Sequence, residues 1–414
     1  MARNLHVLKT MLTWVVIFNA FALSAQKAYI GGNQTLPVLN AQTYSLENTI
    51  YGFSSQLRWL QSSSDHSFIY GGTIFYQPEL NLYKIDAATD EIIITKPVQY
   101  TVQDLEISDD DQFIFHHNST TVYKIDAGSL EIADTVYTGK IISYIAYYDN
   151  NTVFASSTER IYKLDFETQS ITDSVVFGNF DIPAEMAFNA DKSKLYAIKS
   201  SLPLTLWVID ITSMTVENTI SLSGMIGSPG DLILSQDGNY LYVTSTGSNQ
   251  LNGTIRVLAV PEMTTVTDVE KDFGSGIMSF APNGDLWIPN NTSQSVAVFD
   301  TQSNVVKETF STQGILNGPF CIAFGTSTTG VDSKVADNCI QVYPNPASEY
   351  ITIKMTEKEQ GPYHAVIKNA CGQTVKCYVA ANNDKLDVSQ LNPGIYFMEI
   401  KSKSNYQNTR FLIR

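Results

Sequence analysis

One short pattern recurs along this chain, and its spacing limits the possible folds more than any other feature. It reads Leu82-Tyr-Lys-Ile-Asp86, Val122-Tyr-Lys-Ile-Asp126, Ile161-Tyr-Lys-Leu-Asp165, Leu206-Trp-Val-Ile-Asp210, Ile255-Arg-Val-Leu-Ala259 and Val296-Ala-Val-Phe-Asp300, with a weaker copy at Leu36-Pro-Val-Leu-Asn40. Successive copies end 46, 40, 39, 45, 49 and 41 residues apart. A unit of that length cannot bury its own apolar face, so the units must stack on one another. The chain holds 22 Tyr and 20 Phe in 414 residues. Aromatic and β-branched residues dominate each copy, and long amphipathic helical runs are missing, so the units are built from strands.

Residues 184–221 serve as the template. Ala184–Phe188, Leu195–Ile198, Leu206–Asp210 and Val216–Leu222 are four short strand patterns separated by polar turns. Four strands joined by tight turns make one antiparallel blade. The first turn of other copies carries Asp109-Asp-Asp111, Asp149-Asn-Asn151, Gln236-Asp-Gly238 or Pro282-Asn-Gly284, residues that tolerate hairpin backbone angles. The third strand ends in Asp-x-x-Ser/Thr. That carboxylate is read as structural, accepting backbone N–H bonds in the turn that follows. A first strand is missing before Ala28, and an orphan strand, Phe320–Phe324, follows the last unit. Completing the first blade with that orphan strand removes two open sheet edges. The expected fold is all-β: a seven-bladed β-propeller over 27–326, followed by a small Ig-like β-sandwich.

With those units in place, Tyr240-Leu-Tyr-Val-Thr-Ser-Thr246 and the Tyr-Lys-Ile-Asp copies resemble the YVTN-type propeller repeats of bacterial surface and periplasmic proteins. The resemblance covers about three quarters of the chain and implies a fold rather than an activity. Ala259 departs from the pattern, standing where the other copies have Asp or Asn.

Charge and leader narrow the setting. The formal net charge is −15. Residues 341–414 carry 9 basic and 6 acidic residues, against 17 and 35 in the rest, so the sign changes near a domain boundary. An acidic body repels phosphate backbones, which argues against a nucleic-acid partner. Arg3 and Lys9 precede an apolar stretch from Met11 to Ala22, then the small residues Ser24 and Ala25. That order reads as a signal peptide over 1–25, leaving no transmembrane segment in the mature chain. The first cysteine is Cys321, so no thiol near the cleavage point is available for a lipid anchor. Cys321, Cys339, Cys371 and Cys377 either pair in an exported chain or remain idle thiols.

Residues 327–340 are a Ser/Thr/Gly/Asp-rich linker. Beyond it come Tyr343-Pro344-Asn345-Pro346, alternating strands around a turn at Gly372, Leu386, Leu391, Pro393-Gly394-Tyr396 and a basic ending at Arg414. These spaced elements in 341–414 resemble the type A sorting domain of the type IX secretion system. The resemblance implies recognition by the secretion machinery and delivery outside the cell or to its surface.

No motif of nucleophilic, phosphate-binding or zinc chemistry is present, and no cofactor or metal site is expected. In the blade scheme, His116 and His117 end a second strand on one face, whereas His66 falls on the other. On the His116 face the candidate ligand-binding residues are Phe75, Tyr76, His116, His117, Asn290 and Asn291, aromatic surfaces and amides suited to sugars or peptides. The expected role is binding of a carbohydrate, peptide or small nutrient, without catalysis. Two alternatives remain at this stage: a lyase- or lactonase-type propeller enzyme, and a structural surface-layer component.

Overall fold

The computed structural model describes residues 26–414 except 75–78, 179–180, 248–252, 272–273, 275, 317, 327–339, 344–346, 356–362, 370–373, 382–383 and 402–405. The proposed signal peptide, Phe75, Tyr76, most of the linker, Pro344–Pro346 and Gly372 therefore lie outside the described residues. The chain divides into two compact units, Ala25–Ser327 and one containing Thr328–Arg414.

The first unit is all strand and turn among its described residues, arranged as seven four-stranded antiparallel sheets. Sheets two to seven each use four strands in chain order, beginning at Gln56, Gln103, Ile142, Pro183, Pro229 and Ser279. Sheet one is composite. Cys321–Thr326 pairs antiparallel with Gln26–Gly31, with Ala28 opposite Phe324 and Gly31 opposite Cys321, beside Leu36–Asn40 and Leu46–Ile50. The two ends of the unit thus share one sheet, in which the first strand of the chain is paired on both sides.

One turn geometry recurs seven times because one residue pattern recurs. The carboxylate of Asp86 accepts the N–H groups of Ala88 and Thr89 at 2.9 and 3.0 Å. Asp126, Asp165, Asp210 and Asp300 cap their turns in the same way, and the Asn40 amide oxygen does so in sheet one. Four residues after each such position the chain adopts a left-handed conformation: Tyr44, Asp90, Leu130, Gln169, Met214, Met263 and Asn304, with φ between 50 and 59°. Ala259 lacks a capping side chain, yet Met263 keeps the same backbone and its N–H reaches Ala259 O at 2.7 Å. The carboxylate strengthens this turn; the left-handed residue closes it.

Seven apolar clusters lie between consecutive sheets, and the seventh joins sheet seven to sheet one. At that last junction Trp287, 1% exposed, meets Phe324 edge-on at 5.3 Å. The arrangement is propeller-like: each sheet buries both faces against neighbours, which is why the second and third strands are nearly continuous in buried residues.

In the second unit, Ile340–Tyr343, Tyr350–Met355 and Lys385–Asp387 form one sheet. Tyr363–Lys368, Thr374–Ala380, Gly394–Lys401 and Tyr406–Ile413 form the other. Ile351, Ile353, Ala365, Ile367, Met398 and Ile413 from the two sheets share one core. Tyr396 is buried, donates to Asn392 O at 2.9 Å and stacks on Phe411. Tyr343 is exposed at the end of its strand, and Gly394 opens the strand that Tyr396 occupies.

Candidate functional site

The first strands of the sheets carry irregularities that decide where polar side chains go. Pairing with the second strand shifts register between Leu57 and Trp59, Gln103 and Glu106, Ile142 and Tyr144, Pro183 and Met186, and Pro229 and Leu232. A bulge bends its strand and re-aims the residues it contains. The bulged residues here include Arg58, Asp104, Ser143, Glu185 and Asp231. They surround a channel in two sections.

The first section has a volume of about 770 Å³ and opens among the residues that precede first strands and follow second strands. Its wall includes Arg58, Trp59, Tyr144, Glu185, Pro229 and Phe320. The second, of about 340 Å³, lies toward the other ends of the first strands and is lined by Asp104, Glu106, Glu185, Asp231 and Met278, among others. Trp59, Glu185 and Ile277 line both sections, so the two meet at those side chains.

Four carboxyl groups converge on this channel in two different states. Asp104 accepts the N–H groups of Leu105 at 3.0 Å and of Ile145, from the next sheet, at 2.8 Å. Asp231 repeats the device, accepting from Leu232 at 2.7 Å and from Met278, the residue just before sheet seven, at 2.6 Å. These two aspartates clamp neighbouring sheets. Burial nevertheless raises them, Asp104 to about 6 and Asp231 to about 7, against the opposing pull of the N–H donors. Glu106 and Glu185 have no hydrogen bond or ion pair among the described residues. Burial first, then repulsion from the aspartates, holds both well above the ordinary carboxylate range. At the mouth, the Arg58 guanidinium lies 3.8 Å from the centre of the Phe320 ring, a cation–π contact.

The residues singled out from sequence lie elsewhere. His116 is fully buried between sheets and stacks on Tyr123 with ring centres 4.9 Å apart. Neither of its ring nitrogens has a hydrogen-bond partner among the described residues, and burial lowers its pKa to about 3. His117 points the other way, its Nδ1 2.7 Å from Asn118 O, and burial lowers it to about 4. Asn290 is buried and its amide oxygen accepts the N–H groups of Thr292 and Ser293, while Asn291 sits in that same turn. None of the four lines the channel. Cys321 is a free thiol, buried in sheet one and raised by that burial. His66 joins sheets one and two on the other face, its Nδ1 3.1 Å from Phe324 O.

Pattern reading missed Arg58, Trp59, Glu106 and Glu185 because a register shift cannot be seen in a strand pattern. A signal does exist: acidic residues interrupt otherwise apolar first strands at Leu105-Glu106-Ile107, Ala184-Glu185-Met186 and Gly230-Asp231-Leu232.

Known proteins place the two units differently. Residues 341–414 match the family of secretion system C-terminal sorting domains. The chain is therefore a secreted or cell-surface protein that engages the type IX secretion system. No curated protein matches the sequence. Among solved structures, a functionally unknown protein from Desulfotomaculum acetoxidans aligns with a TM-score of 0.60 at 14% identity, covering 72% of this chain and 99% of its own. The hydrazine synthase of Kuenenia stuttgartiensis aligns with a TM-score of 0.55 at 15% identity, covering 73% of this chain and 96% of its own. At these identities the likeness concerns the fold alone. Among the described residues no helix is long and apolar enough to cross a membrane, and no group of His, Cys, Asp and Glu is placed to hold a metal ion.

Proposed function

We propose that this chain is a seven-bladed β-propeller of the YVTN type, led by a signal peptide over 1–25. A linker over 327–340 and a type A sorting domain with an Ig-like sandwich complete it. Its role is to bind a small extracellular solute, such as a sugar, short peptide or nutrient, without catalysis. Seven four-stranded sheets, the composite first sheet and the seventh apolar cluster between sheets seven and one support the blade count. In 341–414, two sheets around one core support the sandwich.

The observation that carries the binding role is the channel mouth. A section of about 770 Å³ is large enough for a metabolite, and its wall alternates aromatic rings (Trp59, Tyr144, Phe320) with hydroxyl groups (Ser119, Ser143, Ser200, Ser228). The candidate contacts move accordingly from His116, His117, Asn290 and Asn291 to Trp59, Tyr144 and Glu185. Calorimetry on the full chain against sugars, dipeptides and amines tests the role. Saturable binding to the parent that Trp59→Ala abolishes supports it. Absence of saturable binding by every class leaves the protein a surface scaffold.

A further inference from the structure

The geometry points to an organic cation, a metabolite-sized ammonium or guanidinium compound, as the solute this channel takes, with Glu185 and Glu106 as its counter-charges. The inference rests on the channel being the binding site and adds the chemical class of the occupant.

The argument begins with what each charged group in the channel already does. Asp104 and Asp231 are each spent on two backbone N–H donors, one from their own strand and one from across the junction. Asp109, at the far end, is paired with Lys192 at 2.7 Å. Arg58 covers Phe320 at the mouth. Glu185 and Glu106 are left over, without a hydrogen bond or ion pair among the described residues, and Glu185 faces both sections. Carboxyl groups without partners in such surroundings stay protonated, and a cation bound beside them supplies the charge that lets them ionise.

The walls select for a cation that is organic rather than a bare metal ion. No cluster among the described residues is arranged to chelate one. Trp59 and Tyr144 line the same section as Glu185, and aromatic side chains suit an alkylammonium or guanidinium body. A neutral sugar would hydrogen-bond the serines at the mouth and the glutamates alike, but it brings no positive charge to either glutamate. An anion would meet a section lined by Asp104, Glu106, Asp109, Glu185 and Asp231, in which Lys192 is already paired with Asp109. The charged groups facing the two glutamates from the surrounding strands are Asp104, Asp231 and Lys192, with Tyr144 adjacent and Arg58 at the mouth.

The test is calorimetry on the full chain at pH 8 with choline, 1,5-diaminopentane and arginine amide as probes, and with maltose and glutarate as neutral and anionic controls. The expected result is saturable binding of at least one cation, weakened about tenfold or more in Glu185→Gln, whose shape is nearly unchanged. Glu106→Gln, checked for folding by circular dichroism, weakens it further for a probe that reaches the inner section. If maltose binds and loses affinity in Trp59→Ala but not in Glu185→Gln, the binding site stands and the cation inference falls. If a cation binds with equal affinity to the parent and to the Glu106→Gln/Glu185→Gln double variant, the counter-charge assignment is overturned. If no probe binds, both the site and its occupant are refuted for these classes.

Discussion

Buried charges occur at the junctions between sheets and along the channel, and the two regions treat them in opposite ways. At the junctions Lys27, Lys84 and Lys124 each have a partner. Lys27 donates to Ala87 O at 3.0 Å and to Asp90 at 2.9 Å. Lys84 and Lys124, the lysines of the repeated Tyr-Lys-Ile-Asp unit, reach across to Ala127 O and Asn150 O. Each also lies over a ring of its own sheet, Phe68 at 4.2 Å and Phe113 at 4.1 Å. In later copies the same position holds Val208, Val257 and Val298, which serve the junction by apolar packing alone. The lysine is therefore one of two interchangeable ways to fill a seam. Along the channel, Glu106 and Glu185 have no such compensation. The difference teaches which buried charges stabilise the ring and which cost stability for another purpose.

The junction side of this comparison breaks most sharply at Trp287. Trp287→Ala empties the seam between sheets seven and one and should cost about 3–5 kcal/mol. Urea unfolding followed by far-ultraviolet circular dichroism measures it. A loss under about 1 kcal/mol would mean that the seam does not hold the two ends of the unit together. Next in size is Asp231→Ala, which strands the N–H groups of Leu232 and Met278 and should cost about 1–3 kcal/mol. The same measurement reads it, and a neutral result would remove the clamp.

The channel side predicts the opposite sign. Glu106 and Glu185 bind protons more tightly folded than unfolded, so their contribution favours the fold below the ordinary glutamate pKa of 4.5. It is lost as pH rises toward their folded values. The Glu106→Gln/Glu185→Gln chain should therefore be more stable than the parent at pH 8, by about 1 kcal/mol, and should show no such gain at pH 4. His116 and His117 act in the other direction. Held at about 3 and about 4, they contribute above pH 6.5, and that contribution fades as pH falls toward 4. Comparing variant with parent at each pH cancels the histidines. A stability loss at pH 8 would show that the glutamates do have stabilising partners.

The smallest effect belongs to the turn caps. Asp126→Ala removes the bonds to the Ser129 N–H and hydroxyl, both 2.8 Å, from an exposed turn and should cost about 0.5–1 kcal/mol. Ala259 already shows that the backbone survives without a cap. A cost well above that range, in the same urea titration, would make the repeated Asp a seam residue rather than a local one.

The repeats by themselves determined that the chain forms repeated four-stranded sheets, the capping role of the repeated Asp and the pairing of the Phe320–Phe324 segment with the first strand. Each follows from local chemistry repeated at a fixed interval: alternation makes strands, Asp-x-x-Ser/Thr makes a turn, and an unpaired edge demands a strand. The sorting domain over 341–414 was legible for the same reason, from spaced motifs read one at a time. Only the tertiary structure decided where the polar groups face. His116 and His117, placed by strand counting near an open face, are fully buried, because the second strand of sheet three is covered on both sides. Glu106 and Glu185, which pattern reading passed over, reach the channel because bulges rotate the first strands. Register and burial depend on the neighbour across the seam, and no single strand carries that information.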